Sequence, residues 1–206
     1  MALLHKTDIR PTKLELLNAW LPTQSWYPGP PAPTVERVGA ARFDDPAGEV
    51  GLEVILVQAG DGPVLHVPLT YRGAPLDGAS DFLVGTTEHG VLGRRWVYDA
   101  AGDPVFTRVL GDVIRTGGGQ AVEEVHGPGG EVFVREPDLQ LRGTGSTVAP
   151  LGETVEVTTS DVTRVATTAG ELHLFRLPSA RSTTTSTLTA QWPTATSPVT
   201  LAHLLP

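Results

Sequence analysis

The sequence predicts an α+β fold: a curved antiparallel sheet packed by one main helix, with further antiparallel strands towards the C-terminus. Three observations carry this. Residues 103–119 form a capped, amphipathic helical pattern. Almost every other apolar run is short, rich in β-branched residues and bounded by turn chemistry. Glycine and proline, 23 and 18 of 206 residues, together reach about a fifth of the chain, below the ~25–30 % of low-complexity sequences.

The elements follow in order. Thr12-Lys13-Leu14-Glu15 has the form of a capping box, with Thr12 as N-cap and Glu15 reaching back. Leu14, Leu17 and Leu21 then recur at helical spacing, Pro22 closes the helix, and Pro28 to Pro33 makes a stiff connector. Val35 to Phe43, Val50 to Gln58 and Val64 to Tyr71 read as an antiparallel meander, separated by Asp44–Gly48 and Gly60–Pro63. The middle run is apolar on both faces over its second half, which places it centrally. Asp81 to Thr86 and Arg94 to Tyr98 are two further short strands.

The main helix starts at Asp103 as N-cap with Pro104 in the first position. Val105, Phe106, Val109, Leu110, Val113 and Ile114 form one apolar stripe, with Thr107, Arg108 and Asp112 directed outward. Gly117-Gly118-Gly119 stops it. Beyond it come only short β-type runs: 121–125, 132–135, 153–159, 162–167, 172–177, 188–192 and 199–204. More than half of residues 182–200 are Ser or Thr, and no acid follows Glu171. Such a tail suits an edge strand, a linker or a ligand-facing surface, and the alternation of Leu188, Ala190 and Trp192 favours a strand.

Composition narrows the functional classes. With no cysteine, disulfides, thiolate zinc sites, iron–sulfur clusters and a cysteine nucleophile are excluded. A net charge of −8 argues against nucleic acid or an anionic membrane as a general partner. The N-terminus lacks the apolar run of a secretory signal, and no run approaches the ~20 residues of a membrane span. A cytoplasmic protein is the expectation.

Two segments carry a resemblance. Leu17-Asn18-Ala19-Trp20-Leu21-Pro22-Thr23-Gln24-Ser25-Trp26-Tyr27-Pro28-Gly29 is similar to the opening of the N-terminal cap of actinobacterial maltokinases, with its W-L-x-x-Q-R-W-Y form. Glu88 to Pro104, containing Tyr98-Asp99-Ala100-Ala101-Gly102-Asp103-Pro104, resembles the second signature of that cap. The likeness is clearest over residues 14–115 and closest to stand-alone cap-like proteins of this length. Ser25 departs from it, standing where the kinases usually carry arginine. The resemblance implies a cystatin-like curved sheet and one cap-like unit over 1–206, its parts 1–118 and a C-terminal β-rich 119–206. It does not bring the kinase chemistry with it. Phosphoryl transfer of that class needs a strand lysine, a catalytic aspartate followed by a metal-binding asparagine, and a second metal-binding aspartate. The only asparagine is Asn18, the only lysines are Lys6 and Lys13, and there is no phosphate-binding G-x-x-x-x-G-K-[ST] loop. His89-Gly90 and His126-Gly127 continue with Val91 and Pro128 rather than with aspartate.

The residues themselves offer two functional readings. Trp26, Tyr27, Arg94, Arg95, Trp96 and Tyr98 have the composition of binding hot spots. Together with Glu88 and His89 they fit a non-catalytic binding or regulatory module for a protein partner (a kinase or α-glucan enzyme), for a second copy of the chain, or for a sugar ligand. Strand alternation puts Arg95 and Val97 on one face and Arg94, Trp96 and Tyr98 on the other. The competing reading is a packed strand whose arginines pair with Asp99 or Asp103. Alternatively Glu88 and His89, near Asp99 and Asp103, supply a general base or an oxygen-rich metal site of a small enzyme. Against that stands a plain turn anchor. Asp99 to Asp103 offers too few alternating oxygen ligands for a calcium loop and reads as a tight turn feeding a helix N-cap. Trp192, among threonines, suits a sugar-stacking surface or a half-buried core position. No cofactor is implied.

Overall fold

The computed structural model describes residues 2–5, 9–126, 132–179 and 186–206. In chain order the elements are β1 (Ala2–His5), β2 (Ile9–Arg10), α1 (Lys13–Trp20), β3 (Val35–Phe43), β4 (Gly51–Ala59), β5 (Val64–Arg72), β6 (Leu83–His89), β7 (Gly93–Asp99) and α2 (Pro104–Thr116). The C-terminal half continues with β8 (Glu123–His126), β9 (Val132–Arg135), β10 (Gln140–Gly143), β11 (Thr154–Thr158), β12 (Val162–Thr167), β13 (Gly170–Ser179), β14 (Thr187–Gln191) and β15 (Val199–Leu205). This is an α+β fold of mostly antiparallel sheet. A first six-stranded sheet has the order β2-β6-β7-β5-β4-β3, a second β10-β14-β15-β13-β12-β11, and a small third β1-β8-β9. The β1–β8 pair is parallel.

Both helices begin as the sequence dictates. The Thr12 hydroxyl accepts from the Glu15 amide while the Glu15 carboxylate accepts from the Thr12 amide, closing the capping box of α1. Asp103 caps α2 by accepting from the Val105 amide, and Gly117, left-handed at φ 68°, ends it. Thr107, expected on the outer side of α2, is buried and donates its hydroxyl to the Asp103 carbonyl. Its aliphatic methyl is tolerated inward because the hydroxyl finds a partner one turn back.

The three-strand run over 35–72 forms as expected, but the next strand beside β5 is β7 rather than β6. The chain crosses past β7's place through residues 73–82 and returns as the β6–β7 hairpin. The centre of the first sheet, β4 and β5, is buried on both faces. Ile55, Val57, Leu65, Val67, Leu69 and Val97 pack under Leu17, Trp20 and Leu21 of the α1 region. Leu52, Val54 and Leu56 face the other way, into a core shared with Phe106, Leu110 and Ile114 of α2 and with Leu141, Leu172, Leu188 and Leu204 of the second sheet. Each such aliphatic side chain contributes ~1.5–3 kcal/mol by leaving water, so this shared layer dominates the cohesion of the two sheets.

Candidate functional site

The second signature segment folds into a corner built on two carboxylates. Asp99 ends β7 and accepts from the Ala101 amide at 3.3 Å. Its other oxygen takes Nη2 of Arg176 at 2.5 Å. Asp103 caps α2 and receives Arg72 in a fork, Nε and Nη2 each at 2.7 Å. The arginines that hold these aspartates are therefore Arg72 and Arg176, not Arg94 or Arg95. Arg176 is fully buried. It also donates from Nε to the Thr163 hydroxyl at 2.8 Å, and its guanidinium lies 4.9 Å from the Trp26 ring centroid. His66 completes this junction, with Nδ1 3.1 Å from the Phe175 carbonyl. Burial and then the nearby Arg176 charge push the imidazole down to about 3, so it is neutral and Nδ1–H donates.

Trp26 and Tyr98 take part in this interior. Trp26 is 5 % exposed and meets Trp20 edge-on at 5.9 Å. Tyr98 is buried, and its hydroxyl accepts from the Leu76 amide, fixing the 73–79 loop. Tyr27 is half-buried beside Leu65 and Pro63, where a cavity of about 260 Å³ opens, and burial raises its phenol. Neither Trp26 nor Tyr98 presents a surface to a partner.

The β6–β7 hairpin carries the exposed members of the set. Trp96 lies opposite Arg72 and Thr86, Arg95 opposite Thr87, and Arg94 opposite Glu88. Glu88 pairs with Arg94 at 2.8 Å, both side chains more than half exposed. Arg95 and Trp96 are half-buried; the guanidinium of Arg95 covers Gly73, where a Cβ would come within 2.9 Å of Nη1. His89 turns its Nδ1 onto the hairpin tip and accepts from the amides of Val91 and Leu92 at 3.3 and 3.1 Å. That is the turn-anchor role. Glu88 and His89 alternate along β6, so their side chains leave opposite faces and do not converge on a common reacting atom.

The structure does not gather the six hot-spot residues into one patch. Tyr27 sits by Leu65, whereas Trp96 is registered with Arg72. Seven residues of strand separate the two, roughly 23 Å at ~3.3 Å per residue. The tip itself was not singled out by the sequence pattern, although two aliphatic residues between Gly90 and Gly93 are an unusual turn composition.

The residues a phosphotransferase would require have structural occupations. The Asn18 carboxamide accepts from the Val35 amide at 2.9 Å. The Lys13 ammonium binds both oxygens of buried Glu53 at 2.6 and 2.8 Å. Burial raises the Glu53 carboxyl, but Lys13, Arg42 and the Tyr71 hydroxyl outweigh it and hold the group at about 2. Lys6, Gly127 of the second His-Gly pair, and residues 180–185 of the Ser/Thr-rich tail lie outside the described residues. Among the described residues no helix is long and apolar enough to cross a membrane, and no group of three or more His, Asp or Glu is placed to hold a metal ion.

Comparison with known proteins adds one match. Residues 20–103, about two fifths of the chain, match the family model of the maltokinase N-terminal cap domain. The match ends on the capping aspartate Asp103 and includes Trp26, the β6–β7 hairpin and Asp99. No curated protein matches the chain.

Proposed function

We propose that this chain is a non-catalytic, cap-like docking module that serves a sugar kinase or α-glucan enzyme, and that it meets this partner through the β6–β7 end of its first sheet. One observation carries the reading. The hairpin tip displays Val91 and Leu92, 61 % and 47 % exposed, where turns ordinarily carry Gly, Asn, Asp, Ser or Pro. Their backbone is already held by His89. An apolar knob fixed before contact loses little entropy on docking. Arg94, Arg95 and Trp96 flank it, supplying directional donors and a large apolar ring. The family match supports the cap-like part of the reading.

The test is a titration of the protein against a maltokinase-type kinase, with sedimentation of the protein alone to read self-association. Leu92→Asp, and separately Arg95→Ala with Trp96→Ala, should each weaken the association by at least ~2 kcal/mol. Circular dichroism checks that the variants are folded. Association unchanged by both variants, in folded protein, rejects the surface.

A further inference from the structure

A second surface lies wholly outside residues 20–103. On the outer side of the second sheet, β10 and β14 pair so that Gln140 stands opposite Gln191 and Arg142 opposite Thr189. Alternation turns Leu141, Leu188 and Ala190 into the core and leaves these four polar side chains on one outward face. Gly119 bridges to Arg142 across the free edge of β10, and Gln120 forms the facing wall of an open groove of about 430 Å³.

The wall is a fixed amide relay. Gln120 accepts from the Leu141 amide at 2.8 Å and donates to Gln140 at 2.8 Å, and Gln140 donates to the Pro137 carbonyl at 3.3 Å. Gln191 donates to the Ala195 carbonyl at 2.8 Å, and Thr189 spends its hydroxyl proton on the Arg142 carbonyl. Each carboxamide nitrogen keeps a second N–H, and the guanidinium adds up to five. The groove is thus rich in donors and carries one cation. Among the described residues no Asp or Glu lines it, in a chain where acids outnumber bases 23 to 15. The acid-free stretch after Glu171 builds one side of it. A donor-rich, cationic, carboxylate-free cleft is matched by a ligand that offers accepting oxygens and a negative charge. Among the described lining residues there is no carboxylate or imidazole to act as a base, and the Thr189 hydroxyl is bonded to the Arg142 carbonyl, so the groove suits binding rather than turnover.

We infer that the β10–β14 groove is a binding site for a small oxyanion-bearing molecule, with Arg142 as the charge contact and Gln120, Gln140 and Gln191 as orienting donors. The oxyanion is a phosphate monoester or a carboxylate. The probes are inorganic phosphate and acetate, titrated into the full chain at ionic strength held constant with chloride, while the amide resonances of Gln120, Arg142 and Gln191 are followed by NMR. Saturable shifts confined to the groove are expected. Tighter phosphate assigns a phosphate monoester, tighter acetate a carboxylate. Arg142→Gln should weaken binding at least ~10-fold, whereas Arg164→Gln, an exposed arginine on β12, should leave it unchanged. Absence of saturation by about 30 mM of either probe, or equal losses in the two arginine variants, overturns the assignment.

Discussion

Replacing Arg176 by methionine keeps the apolar stem of the side chain as far as the Nε position and removes the charged guanidinium beyond it. In the wild type that group is fully buried, as is the Asp99 carboxylate it meets at 2.5 Å. The variant leaves Asp99 as a charge inside the protein with, among the described residues, only the Ala101 amide donating to it. Breaking a buried pair from one side costs ~3–5 kcal/mol, and the lost cation–π contact with Trp26 acts in the same direction by ~0.5–2 kcal/mol. Against a typical domain stability of ~5–15 kcal/mol, the variant should be marginal at room temperature. Urea unfolding of wild type, Arg176→Met, Asp99→Ala and the double variant closes a thermodynamic cycle. The coupling should be at least ~2 kcal/mol, with the double variant losing less than the sum of the two singles. A single-variant cost under ~1 kcal/mol, or a coupling near zero, would falsify the reading of Arg176 and Asp99 as a coupled buried pair.

Two further outcomes follow from burial and charge. Phe106→Ala should cost ~3–5 kcal/mol because the ring is wholly inside the shared core, whereas Arg108→Ala on the exposed side of α2 should stay within ~0.5 kcal/mol; equal denaturation midpoints would contradict that placement. Stability should also fall in acid. His66 titrates near 6.5 when unfolded and at about 3 when folded, and Glu53 near 4.5 and at about 2. Both folded values are depressed, so the unfolded chain binds more protons, and stability present at neutral pH is lost on descending from about 6.5 towards 2. Each group contributes up to about 1.4 kcal/mol per pH unit inside its window, so the loss should be steepest between about pH 4.5 and 3, where the windows overlap. His66→Gln should flatten the upper part of the curve, between about pH 6.5 and 4.5; an unaltered profile would mean that His66 does not bury as a neutral imidazole.

Local signals located most elements. The capping box at Thr12, the Asp103-Pro104 start and the Gly117 stop each depend on residues within one helical turn, and the structure keeps all three. The strands of the first sheet fell within a few residues of their apolar alternation. What escaped was either too short or too distant. β10 presents only one apolar residue, Leu141, between polar neighbours, and β2 has two residues in all. The partners of the aspartate corner lie 31 and 77 residues away along the chain, beyond any periodicity. One signal was nonetheless present. In β13, Arg176 falls in phase with inward-facing Leu172 and Leu174, and an arginine at a core-facing position demands a buried carboxylate. For the site residues, alternation along 94–98 says nothing of how deeply each side chain lies. Only burial distinguishes exposed Arg94 from enclosed Tyr98 and Trp26.

The carboxylates of Asp99 and Asp103 each perform two tasks with one set of atoms, starting a turn locally and anchoring an arginine from elsewhere in the chain. A change at either position is therefore felt twice. Asparagine could still receive the local amide but would leave its arginine without a counter-charge; glutamate would keep the charge but carry it one methylene beyond the amide. No single replacement satisfies both demands, and altering the arginine alone leaves the turn requirement untouched. Such positions resist stepwise drift, and transplanting this corner into another scaffold would require moving the turn, Arg72 and Arg176 together as one unit.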